Sequence, residues 1–267
     1  MPIAFVNIMT VMLYLAATSM QWVASTRFGL PSKKWMLLLG IVAVLGHAYL
    51  LHNAIDTPWG QNLSVLNLAS LASWLIIVLF IFLAFAKPLE KLGLILFPMA
   101  AVLTVFASWW PGEHLVATAK DLHQLTHILL AVLTFSVLAF AGIQALLLAL
   151  LDRQLHQKTH VNWLNRLPPL ETMETLLFQM IGSGFVLLTL LLLSSFYFYH
   201  ATLGSLFFSK AFLATLSWLV FAILILGRQF LGWRGKKALY CTAFGVALVL
   251  LLYFGVQQFM PVAGIVI

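Results

Sequence analysis

The sequence predicts an all-α membrane bundle of eight transmembrane helices, and three observations carry that prediction. Of the 267 residues, 63% are hydrophobic and only 8% are charged, whereas a soluble domain carries about 25% charged residues. The mean hydropathy is +1.05. The apolar residues fall into eight runs of the length a spanning helix needs, about 20 residues, and proline, glycine and basic residues separate the runs. The whole chain, 1–267, is expected to form a single integral membrane domain.

Span one, 3–23, lies in a segment that opens MPIAFVNIMTVMLYLAATSM. It lacks a positive leader region and reads as a retained span, not a cleaved signal. Pro31 and Lys33-Lys34 precede span two, 35–54, and Pro58 with Gly60 precedes span three, 64–86. Pro88 separates span three from span four, 91–110, which stops at Pro111-Gly112. Span five, 123–150, follows Lys120 and opens with two histidines one turn apart, His123 and His127. The segment DRQLHQKTHVNWLNRLPPLETMET, 152–175, is too short for a soluble domain. Past its Pro168-Pro169, Glu171 and Glu174 stand at the start of span six, 175–199, where carboxylates suit the helix dipole. Span seven, 210–230, follows HATLGSLFFS, 200–209, and the basic run GWRGKK divides it from span eight, 237–258.

Lysine and arginine orient the spans. Twelve of the 14 lie in one set of connections and only Lys120 and Lys210 in the other. Both termini are therefore expected on the outer, periplasmic side. The same asymmetry explains the net charge of +7 without nucleic acid. It makes GWRGKK a cytoplasmic stop signal, with an anionic-lipid contact as the alternative. The single cysteine, Cys241, excludes an intrachain disulfide and a C-x-x-C-H haem attachment, so the chain is not itself a c-type cytochrome.

Ionisable groups inside a bilayer are costly and mark function. No Asp, Glu, Lys or Arg falls deep in a span, but histidine does. With a rise of about 1.5 Å per residue, His47 in span two lies roughly 10 Å below the outer end and His127 in span five roughly 9 Å. His52, His123 and His200 form a shallower layer at the mouth, with His114 in the outer loop; His156 and His160 fall on the cytoplasmic side. Two imidazoles at matched depth suit the axial positions of a haem iron. Apolar helix faces would bury the ring, and the propionates would reach Lys120, Lys210 or the shallow histidines. The same residues also suit interhelical hydrogen bonds, and His123 with His127 gives only a minimal zinc pattern. Asn67, Ser70 and Trp74 share a face of span three and read as helix contacts or a pocket wall. Gln144 reads as a helix contact.

Several stretches carry a resemblance: LGHAYLLH (45–52), WGQNLSVLNLASLASWLI (59–76), THILLAVLTFSVLAFAGIQALLLAL (126–150), LPPLETMETLLFQMIGSGFVLLTLLLLSS (167–195), LSWLVFAILILGRQFLGWRGKKALY (216–240) and YFGVQQF (253–259). The chain resembles the YpjD-like inner-membrane group of the CcsA/HemX superfamily, the cytochrome c assembly protein family. That resemblance implies an eight-span haem-handling protein of the bacterial cytoplasmic membrane. It maps haem-binding histidines onto His47 and His127, with His123, His200 and His52 as further candidates. Ser209 stands where the related group has a histidine before Lys210, and the Trp-rich presenting segment of the assembly members is absent from 200–209. The expected function is haem binding, as haem b held by His47 and His127, for haem handling or cytochrome c assembly, without covalent catalysis. Expected partners are the lipid bilayer, haem and other membrane proteins of cytochrome c maturation or transport. The alternative is a haem-free partner or regulator of another membrane complex, such as a divalent-cation transporter.

Overall fold

A computed structural model describes residues 2–26, 32–58, 60–87, 89–110, 112, 115–116, 122–157, 169–199 and 205–255. Among them are eight helices long and apolar enough to cross a membrane. They are α1 (Pro2–Thr26), α2 (Ser32–Ile55), α3 (Val65–Ala86), α4 (Gly93–Trp109), α5 (Leu122–Gln157), α6 (Leu170–Tyr199), α7 (Ser205–Leu231) and α8 (Lys236–Leu250). The helices group into two compact units, α1–α4 and α5–α8.

In the first unit α1 packs against α2 and α4, and α3 against α2 and α4, which closes a ring of four helices. Its core is aromatic. Tyr14 stacks on Phe97 at 5.9 Å, and Phe80 meets Phe97 edge-on at 5.5 Å. An unforeseen feature covers the lysine-poor end: a short antiparallel ribbon of β1 (Asp56–Thr57), β2 (Gly60–Asn62) and β3 (Leu115–Val116). Buried backbone that leaves a helix must find partners, and WGQNLSVLN supplies them. The Asn67 amide donates to the carbonyls of Ala54 (3.3 Å) and Asn62 (3.0 Å), and the Asn62 amide donates to Gly112 (2.8 Å). Trp74 donates its indole N–H to Val44 in α2 at 2.9 Å. Asn67 therefore secures the ribbon, and Trp74 makes the helix contact read from the sequence.

In the second unit α5 packs against α6 and α8, and α7 against α6 and α8. Small residues let the backbones approach, as in membrane bundles generally. Gln144 donates from α5 to the Met173 carbonyl in α6 at 3.3 Å, the helix contact expected of it. The α7–α8 seam gives a test of this packing. Ser217 donates to the Gly245 carbonyl at 3.2 Å, and a Cβ on Gly245 would stand 2.8 Å from the fully buried Phe221 ring. Gly245→Ala should accordingly cost about 1–3 kcal/mol through overpacking, read as a lower unfolding midpoint in detergent. A midpoint equal to the parent would show that the seam is loose.

The basic end of the second unit explains two other motifs. Arg228 Nη1 donates to Glu174 Oε1 at 2.5 Å, and its guanidinium lies 4.1 Å from the Phe178 ring centroid. The chain then turns through Gly232 and Gly235, whose φ values of 62° and 57° favour glycine. That turn brings the Trp233 N–H to the Gly227 carbonyl at 3.1 Å. The dipole role expected of both carboxylates thus belongs to Glu171, in the first turn of α6, while Glu174 ties α6 to α7. Helix α7 also starts earlier than the hydropathy suggested, so Ser209 and Lys210 lie within it.

Candidate functional site

His47 occupies the middle of the first unit and is fully buried. Each of the other three helices sends a polar side chain to it. Tyr14 from α1 places its hydroxyl 3.1 Å from Nδ1. Ser70 from α3 and Thr104 from α4 place theirs 2.9 and 3.3 Å from Nε2. Thr104 commits its hydroxyl hydrogen to the Ala100 carbonyl at 2.7 Å, so toward His47 it accepts. That assigns Nε2 as the protonated nitrogen and leaves Nδ1 to accept from Tyr14. LGHAYLLH permits this because Gly46 faces Thr10 with no room for a Cβ, which lets α1 come close. The polar contacts continue toward the lysine-poor end: Ser108 donates to the Thr104 carbonyl at 3.0 Å, and the Asn7 amide donates to Ser108.

His127 lies in the second unit, half-buried, five residues into α5. Its Nδ1 is 2.9 Å from the Ser194 hydroxyl of α6. Ser194 donates its one hydrogen to the Leu191 carbonyl at 2.8 Å, so it accepts from His127 Nδ1–H. The lone pair is therefore on Nε2. This is the arrangement of metal-binding histidines, in which the second nitrogen is anchored to an acceptor that fixes tautomer and ring direction. Lys210 lies five residues into α7.

The remaining candidates are dispersed. His52 is exposed and pairs with Asp56 one turn on, Nδ1 to Oδ2 at 2.7 Å. His123 lies on α5, but its side chain, like His114, Lys120 and His200, is outside the described residues. Among the described residues no three His, Cys, Asp or Glu side chains converge to hold a metal. The sequence reading missed Tyr14, Thr104 and Ser194. Tyr14 was accessible: Asn7, Thr10, Tyr14 and Gln21 recur at helical spacing on one face of an otherwise apolar helix.

The two histidines differ in their fitness for haem iron. His127 has its ring anchored through Nδ1 to Ser194. His47 does not fit as it stands, because Ser70 and Thr104 hold Nε2 and Tyr14 holds Nδ1; to ligate it must give up Tyr14 at Nδ1, or give up Ser70 and Thr104 at Nε2 and change tautomer.

The described helices are those of an eight-span membrane protein with one imidazole, His47 or His127, hydrogen-bonded inside each unit. The comparison with known families makes this specific. The chain belongs to the cytochrome c assembly protein family, whose model matches residues 35–261. It is 30% identical over 231 residues to the inner membrane protein YpjD of Escherichia coli K12, covering 85% of this chain and 88% of the relative. It is 28% identical over 186 residues to the cytochrome c biogenesis protein CcsA of Chlamydomonas reinhardtii, covering 65% of this chain and 51% of that one. The CcsA of Guillardia theta is 25% identical over 210 residues, covering 69% of each chain. No solved structure matches.

Proposed function

We propose that this chain is a haem-handling protein of the bacterial inner membrane that serves cytochrome c assembly, with both termini on the outer side and His127 as its iron ligand. Family membership and the CcsA relatives support the haem part of the reading. The name of the YpjD relative and the lysine asymmetry support the location and direction. The observation that supports the site is the His127–Ser194–Leu191 chain of hydrogen bonds, which anchors the ring through Nδ1. Haem b, when bound, supplies an iron that accepts a nitrogen axial ligand. The protein's part is to hold His127 in one tautomer and to keep apolar helix faces around the porphyrin. The bis-histidine form of this reading adds His47, which requires Tyr14 to release Nδ1, or Ser70 and Thr104 to release Nε2. No covalent step on the polypeptide is involved.

The test is a haemin titration of the purified protein in detergent. A saturable shift and sharpening of the Soret band is expected; a spectrum equal to haemin in empty micelles would end the proposal. A second reading, a haem-free partner of another membrane complex, draws on the fully paired state of His47. It predicts normal function after replacement of both deep histidines.

A further inference from the structure

A topological signal needs positive charge alone, in any geometry, but the GWRGKK turn of the second unit has a fixed shape. The span of α7 ends at Leu231 and that of α8 begins at Lys236, so residues 232–235 alone join them. A turn this short cannot leave the headgroup layer of a bilayer that the two helices cross. Gly232 and Gly235 take positive φ, the Trp233 N–H donates to the Gly227 carbonyl, and the Leu239 N–H donates to the Gly235 carbonyl at 3.1 Å. A Cβ on Gly227 would stand 2.5 Å from the Trp233 ring, so the indole packs directly on the α7 backbone. The cations of this turn divide into two sorts. Arg228 is spent on Glu174, and Arg234 stands 4.0 Å from the same carboxylate. Lys236 and Lys237 are exposed, and among the described residues neither has a carboxylate partner. The Lys237 ammonium lies 6.0 Å from the Trp233 ring centroid.

The side chains that follow are apolar and bare. Tyr240 and Phe244 continue the face of α8 that starts at Lys236, and both are exposed. Phe230 and Leu231 are exposed at the end of α7. The surface thus passes from two ammoniums without carboxylates to aromatic and aliphatic groups within one or two helical turns. A soluble anion would meet the ammoniums and leave the apolar groups uncovered. A zwitterionic lipid would cover the apolar groups but bring its own cation toward Lys236 and Lys237. We infer that this turn binds an anionic phospholipid, with its phosphodiester on Lys236 and Lys237 and an acyl chain along Tyr240 and Phe244. The charge complementarity is that of basic segments at membrane surfaces, here held in one geometry by the two glycines and Trp233. The inference does not depend on the haem reading.

The experiment titrates phosphatidylglycerol and phosphatidylcholine into the delipidated full chain in detergent and counts bound lipid by native mass spectrometry. The parent should retain phosphatidylglycerol in preference to phosphatidylcholine. The double variant Lys236→Gln, Lys237→Gln should bind phosphatidylglycerol more weakly by about tenfold or more and phosphatidylcholine as before. The double variant Lys236→Arg, Lys237→Arg should keep most of the parent's affinity. Lys34→Gln removes an exposed lysine of the first unit and should change little. Parental affinity in the double glutamine variant would overturn the inference. An equal loss in Lys34→Gln would also overturn it, because the attraction would then belong to the total charge and not to this turn. Displacement of phosphatidylglycerol by inorganic phosphate, beyond that caused by chloride at the same ionic strength, would make the turn a site for soluble anions and overturn the lipid assignment.

Discussion

His127→Ala is expected to abolish the haemin-induced Soret shift, weakening binding by more than about 100-fold. The estimate follows from the anchoring partner. Loss of a group that merely orients a metal ligand costs about 10–100-fold, so Ser194→Ala should fall in that range and loss of the ligand beyond it. The comparison is clean because His127 is only half-buried and Ser194 keeps its bond to the Leu191 carbonyl when the ring is gone. The fold should therefore persist with an unfolding midpoint near that of the parent. A His127→Ala protein that still binds haemin with parental affinity would remove His127 from the site.

Replacement of His47 should act first on stability. His47→Ala takes away the shared partner of Tyr14 and Ser70, two buried hydroxyls with no other side-chain partner in the first unit. It also opens a cavity beside Tyr14, whose ring meets the His47 ring edge-on at 5.9 Å. Unpaired buried groups cost about 1–3 kcal/mol each and cavities add more. Membrane-buried hydrogen bonds average less, so a total of about 2–5 kcal/mol is expected, measured by unfolding in detergent. Thr104 is spared because its hydrogen belongs to Ala100. His47→Asn, which supplies both a donor and an acceptor, should recover part of the loss. Its haemin spectrum carries separate information: conversion from a low-spin to a high-spin form would make His47 the second iron ligand, and an unchanged spectrum would leave it as the tie of the four helices. A His47→Ala protein as stable as the parent would contradict the packing role.

The sequence alone determined the eight helices, because apolar runs of bilayer length have no other way to satisfy their backbone in lipid. It also led to the family, through motifs such as LPPLETMET and GRQFLGWRGKK whose residues meet at one end of the second unit: Glu174, Arg228, Gly227 and Trp233. It singled out His47 and His127, since an imidazole in an apolar helix stands out whatever surrounds it. Tertiary structure alone decided what each imidazole does. Hydropathy measures depth along a helix and is blind to the neighbour across the gap, so two histidines at equal depth looked equivalent. They are not: His47 is met by hydroxyls from α1, α3 and α4 that occupy both nitrogens, whereas Nδ1 of His127 is met by the Ser194 hydroxyl, whose hydrogen is already spent on Leu191. Where a single hydroxyl proton goes depends on which helices pack side by side, and no pattern within one helix encodes that.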